Sequence, residues 1–275
     1  MSKIVFLPVK SDVIFRLFFA DERNVDSLVD FLKSVLKLPE DDYEVIEISD
    51  PHLLREYEGD KLGIIDVKLK TRSGKIIHIE VQLLVPAEIK ERLIYYSAKL
   101  ITEQIGSGDD YSTIKRVISI IITDEELIQN SPKYHHCFTL YDREAGVEFS
   151  NLIEFNTLEL SKLPRDTDGT ILYDWASFIA AETEEELDVV AERNPQVGKA
   201  VVKLRELSAD ERARDLYERR EKARRDESMR FRWELKKQNV DTAKVLIASN
   251  IPVEVIMKAT GLTHEEVEDL RNTIA

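Results

Sequence analysis

Residues 63–84, GIIDVKLKTRSGKIIHIEVQLL, carry an apolar residue at every second position on either side of a short turn. That alternation admits little other than a β-hairpin with one face given to a core. In the first arm Ile65, Val67 and Leu69 share a face and leave Asp66 and Lys68 on the other. In the second arm Ile77, Ile79, Val81 and Leu83 share a face and leave His78, Glu80 and Gln82 opposite. A three-residue loop Arg72-Ser73-Gly74, with Gly74 left-handed, pairs Thr71 with Lys75 and sets Asp66 directly across from Glu80. A two-residue Ser73-Gly74 turn would move Asp66 and Lys68 onto the face of Ile79 and Val81, which the apolar pattern rejects.

The flanking segments surround this hairpin with an α/β pattern. Between Asp12 and Leu38, Ile14, Leu17, Phe18, Leu28, Phe31, Leu32, Val35 and Leu36 fall at helical spacings, broken near Asp21 to Asn24 and stopped by Pro39. Strands are expected at Tyr43 to Ile48, Leu62 to Lys70 and Lys75 to Leu83, then a long helix from Pro86 to Gly106. Val117 to Ile122 is an apolar run broken by Ser119 alone, as expected for a strand buried on both faces. Tyr134 to Tyr141 and Val147 to Phe155 add further strands. The order implies an α/β fold with an αβββαβ core and a mixed sheet, over residues 1–164.

From residue 165 to 275 the pattern turns helical and charged, with helices expected at Leu172 to Ala181, Glu184 to Glu192 and Val197 to Leu207. Asp210 to Lys237 has few apolar anchors and charges of both signs, so it reads as a solvated or partner-bridging helix, with a nucleic-acid contact as the alternative. Asp241 to Ala275 holds two or three short helices in helix-turn-helix-like spacing, with Pro252 at a first helical position and a Thr263/Glu266 capping box. Glu254, Glu265, Glu266, Glu268 and Asp269 make it acidic, which favours a packing or interaction module over DNA reading.

With 275 residues, 43% of them hydrophobic and 33% charged, the chain can bury a large core. No stretch approaches the roughly 18 to 20 apolar residues of a membrane span, and no leader is recognisable, so a cytoplasmic protein without membrane association is expected. The lone Cys137 excludes an internal disulfide. In His135-His136-Cys137 neighbouring side chains would point to opposite faces of a strand, so a buried thiol is expected there and a zinc site is not. The net charge of −14 works against unaided attraction to a polyanion, which calls for local basic residues or bridging cations.

Opposed side chains in an antiparallel pair stand about 4.5 to 5.5 Å apart at Cβ, where two like charges repel. A cation between Asp66 and Glu80 removes the conflict, and with a backbone carbonyl and waters the pair forms a hard oxygen site suited to Mg²⁺, with Mn²⁺ as substitute. Such a site serves phosphodiester hydrolysis. Gln82 can orient water or phosphate, and Lys68 can supply the positive charge that Gln82 lacks. The same residues would equally make an ordinary solvated sheet face with Lys68 neutralising the acids.

Taken in order, Ser11 to Phe19 (SDVIFRLFF), Asp66 to Lys68 with Ile79 to Gln82, Glu91 to Tyr96 (ERLIYY) and Gly108 to Ser112 (GDDYS) resemble the recombination-promoting nuclease/transposase family of the PD-(D/E)XK superfamily. The resemblance implies a restriction-endonuclease-like core, Mg²⁺-dependent DNA cleavage, and metal ligation by Asp66 and Glu80, beside which the Val81 carbonyl is the expected backbone ligand. Gln82 stands where the superfamily carries lysine, which leaves rate and mechanism open. Asp12 matches an acidic position in the first helix, where capping is the favoured role. A non-catalytic binding or assembly module on the same fold is the alternative function. Cutting two strands calls for two sites, which a homodimer supplies, but no sequence feature fixes an interface.

Overall fold

In a computed structural model of the chain, residues 6–44, 46–49 and 67–274 are described. The chain opens with α1 (Asp12–Phe19) and α2 (Val25–Val35). They are parted by a 3-10 turn at Glu22–Asn24, where the Asp21 carboxylate accepts the Arg23 N–H. There follow β1 (Ile46–Ser49), β2 (Val67–Thr71), β3 (Ile76–Gln82), α3 (Ile89–Thr102), β4 (Val117–Thr123), β5 (His135–Asp142) and β6 (Val147–Glu159). Together they form the expected αβββαβ order, with the strands in one mixed sheet ordered β1-β2-β3-β4-β6-β5. β1, β2 and β3 pair antiparallel, β3 with β4 and β4 with β6 pair parallel, and β5 returns antiparallel along β6. The parallel β3–β4 pair is what requires α3, since a parallel connection needs a crossover.

The β2–β3 turn has the three-residue form. The Thr71 N–H donates to the Lys75 carbonyl at 3.0 Å, the Gly74 N–H donates to the Thr71 carbonyl at 2.9 Å, and Gly74 has φ +87°. Val67 then faces Ile79 and Lys68 faces His78, a register in which paired residue numbers sum to 146. Asp66 lies outside the described residues.

The sheet is covered on both sides. Ile77, Ile79, Val81, Ile118, Ile120, Ile122 and Leu158 face the main core, where Ile14, Phe15, Phe18 and Phe19 of α1 and Leu28, Phe31 and Leu32 of α2 are buried. On the other face α3 sets Ile89 and Leu93 against Ile121 and Leu127, and Leu100 against Val117. Next come α4 (Ile171–Ala180), α5 (Glu184–Arg193) and α6 (Pro195–Ala209), and these join the main core. Trp175 of α4 packs tilted against Phe19 and edge-on to Phe31, with ring centroids 6.0 and 6.1 Å away, and its Nε1–H donates to Asp30 at 2.8 Å. By packing the chain divides into residues 1–217 and 218–275, so the change near residue 165 is one of secondary structure and not of core.

The polar stretch after residue 210 is one helix, α7 (Glu211–Ala248), which runs past Lys237 and takes in residues expected to start the tail. In the second unit α8 (Val253–Thr260) and α9 (His264–Ile274) follow. Pro252 is the cap residue before α8 and not its first turn: it holds extended φ/ψ while Val253 opens the helix. Thr263 and Glu266 form the expected reciprocal cap, each side chain accepting the other's backbone N–H at 3.3 and 2.9 Å. The expectation of a buried thiol is overturned, because Cys137 lies on edge strand β5 and is exposed. Its neighbours do diverge: His135 reaches Asn156, while His136 reaches Ser131 and Glu159. Among the described residues no helix is long and apolar enough to cross a membrane.

Candidate active site

Because β3 alternates, burying Ile77, Ile79 and Val81 in the main core turns His78, Glu80 and Gln82 toward α3. This face is not an open solvated one: His78 is 1% and Glu80 3% exposed, with α3 packed over them. The carboxylate of Glu80 accepts from the guanidinium of Arg92, in the first turn of α3. The same Nη2 lies 3.3 Å from Gln82 Oε1, while the Gln82 amide N–H donates to the Leu84 carbonyl at 2.7 Å. A buried carboxylate left without a partner would be costly, so this ion pair fixes how the start of α3 meets β3.

Beside Glu80 sits a small buried polar cluster. His78 Nε2 contacts Ser119 Oγ of β4 and lies 3.3 Å from Ser97 Oγ of α3, and the two hydroxyls are 2.6 Å apart. Ser97 in turn donates to the Leu93 carbonyl at 2.8 Å. Burial brings the His78 pKa down to about 4, and the charge of Lys68 across the strand pair pushes the same way. His78 is therefore neutral at physiological pH and acts as a hydrogen-bonding strut.

Of the residues expected to form a site, the structure brings Glu80 and Gln82 together under Arg92 and sets half-buried Lys68 on the neighbouring strand, opposite His78. Val81 turns its side chain into the core at 6% exposure, so it can offer a site only its backbone carbonyl. Asp66 lies outside the described residues. Asp12 opens α1 just after the cap residue Ser11, and its Oδ1 accepts the Val13 N–H at 2.8 Å, a helix-start role.

Among the described residues no group of three or more His, Cys, Asp or Glu is placed to hold a metal ion. The two side chains that Arg92 contacts nonetheless offer hard oxygens, the Glu80 carboxylate and the Gln82 amide oxygen. That chemistry fits Mg²⁺ or Mn²⁺.

Arg92 is the site residue that strand alternation alone does not reveal. Its signal is its place three residues after Ile89 and next to Leu93, both buried on α3, where a charged residue beside an apolar stripe implies a partner. Ser119 gives a weaker signal, a hydroxyl in the midst of the apolar residues of β4.

Neither the curated proteins nor the solved structures compared with this chain gave a match. The family model described as PD-(D/E)XK nuclease family transposase matches residues 9–233, which take in the whole sheet, α3 and the Glu80–Arg92 pair. Covering most of the sequence, that match shows that the chain belongs to the PD-(D/E)XK nuclease family transposases.

Proposed function

We propose that the chain is a Mg²⁺-dependent DNA endonuclease, with Mn²⁺ able to substitute, whose site is formed by Asp66, Glu80, Gln82 and Lys68. The observation that supports the reading is Glu80: in a chain of this family, β3 carries a carboxylate that is 3% exposed and lies beside Gln82 and Arg92, on the face turned away from the main core. Asp66, Glu80 and the Val81 carbonyl would hold the cation. The chemistry supplied by a cation held there would be Lewis acidity toward the scissile phosphate and toward an attacking water. Gln82, on the face of Glu80, orients water or phosphate by hydrogen bonds, and Lys68 offsets negative charge from the neighbouring strand. A homodimer would supply the two sites that duplex cleavage needs, and the single cysteine suits a reducing cytoplasm.

The test is Mg²⁺-dependent nicking or cleavage of plasmid DNA by the purified chain, abolished by EDTA and by Asp66→Ala or Glu80→Gln. Cleavage that survives in either variant sinks the assignment.

A second reading, a non-catalytic binding or assembly module, is favoured by the Arg92–Glu80 ion pair, in which the guanidinium offsets the charge of the carboxylate. It requires that calorimetry detect no Mg²⁺ or Mn²⁺ binding at millimolar concentration.

A further inference from the structure

Arg92 holds more than a structural ion pair needs. One guanidinium nitrogen contacts both β3 site residues, Glu80 Oε1 and, at 3.3 Å, Gln82 Oε1. The neighbouring Nε is buried and has no hydrogen-bond partner, which leaves a donor unspent on the same planar group. The two partners also differ in exposure, since the Arg92 side chain is 27% exposed and that of Glu80 is 4%. The carboxylate is fixed under the helix while the cation reaches toward solvent.

Electrostatics set the consequence. A divalent cation on Glu80 and a guanidinium on the same oxygen repel each other strongly in a poorly solvated pocket, so they compete for one carboxylate. A guanidinium released there remains tethered at the start of α3, next to Gln82, with a planar set of N–H donors that matches phosphate oxygens bidentately. Gln82 cannot supply that positive charge, being neutral.

We propose that Arg92 is a phosphate-binding residue of this site, parked on Glu80 until a divalent cation takes the carboxylate and then engaging the DNA backbone. The proposal rests on the endonuclease reading above. It makes one side chain both the resting counter-ion and the substrate ligand, so metal-free protein keeps Glu80 neutralised and its anion-binding charge occupied.

The experiment compares the full-length wild type with Arg92→Ala, Arg92→Lys and Glu80→Gln. Mn²⁺ titrated calorimetrically without DNA should bind Arg92→Ala at least about fivefold more tightly than wild type, because the competitor is gone. It should not bind Glu80→Gln detectably. Binding of a labelled duplex is then followed against salt with Ca²⁺ as cation, the duplex checked by gel to be uncut. Arg92→Ala should flatten the slope of log affinity against log salt by about one, and Arg92→Lys should keep the slope. If Arg92→Ala fails to fold without metal, Arg92→Gln with added Mn²⁺ carries the same two measurements. Mn²⁺ affinity unchanged or weakened in Arg92→Ala, or an unchanged salt slope, would reduce Arg92 to a structural clamp and overturn the proposal. A wild type that binds neither Mn²⁺ nor duplex would instead remove the endonuclease reading on which the proposal stands.

Discussion

Asp42, in the 3-10 turn Glu40–Tyr43 before β1, is 2% exposed and ties down the β2–β3 turn from outside the hairpin. Its carboxylate accepts from Thr71 Oγ1 and from the Ser73 N–H, both at 3.2 Å, and from the Lys75 ammonium. Burial alone would raise its pKa, but the hydrogen bonds from Lys75 and Ser73 outweigh burial and leave it below 3.8. A group whose folded pKa is depressed stabilises fully above its unfolded pKa and loses that contribution as pH falls through the folded value. Asp42→Asn should therefore cost about 2 kcal/mol at neutral pH. The gap to wild type should narrow only below about pH 4, in denaturant melts taken across pH. A gap that stays constant from neutral pH to pH 3 would contradict the role given to the charge. At this scale the sequence was informative about faces and silent about partners. Parity alone put Glu80 and Gln82 on one side, because strand geometry is local. That Arg92 and Asp42 would be the groups meeting Glu80 and the hairpin turn depends on how separate elements pack, which no local period encodes.

The hairpin turn is the element on which the site's phase depends. Gly74 sits at φ +87°, and a Cβ there would also come within 3.3 Å of Lys115 Cγ. Lys115 can move aside, so the backbone conformation is the larger obstacle, and Gly74→Ala should destabilise the protein by about 1 to 2 kcal/mol. Thermal unfolding reads this directly, and an unchanged midpoint would mean that the turn is set by its flanks and not by glycine. A more telling result would be loss of metal binding with only slight loss of stability, since a one-residue slip moves Glu80 to the other face of the sheet. The turn was legible because its residue types and the apolar phase on both arms demand the same register. The end of α7 was not. No proline or glycine marks a stop between Lys237 and Ala248, and the change from a solvated surface to packing at Ala243 and Ile247 looks in sequence like a new element.

On the scale of the whole molecule, two cores of unequal size sit on one chain. Residues 1–217 bury the aromatic cluster of Phe15, Phe18, Phe19, Phe31, Trp175 and Phe178 between helices and sheet. Residues 218–275 bury Ala243, Ile247, Val253, Ile256, Leu262 and Val267, with partly buried Leu246 and Leu270 against them. A core that small supplies at most about 3 to 5 kcal/mol, and the charged stretch of α7 before it adds helix without apolar burial. The second unit should thus open on its own. In native-state hydrogen exchange with added denaturant, amides of α8 and α9 should lose protection together at lower denaturant than those of β4, a strand buried at every position. Their opening free energy should not exceed about 5 kcal/mol, whereas β4 should report the global stability. Identical exchange midpoints for α9 and β4 would show that the two cores unfold as one and would refute independent opening of the second.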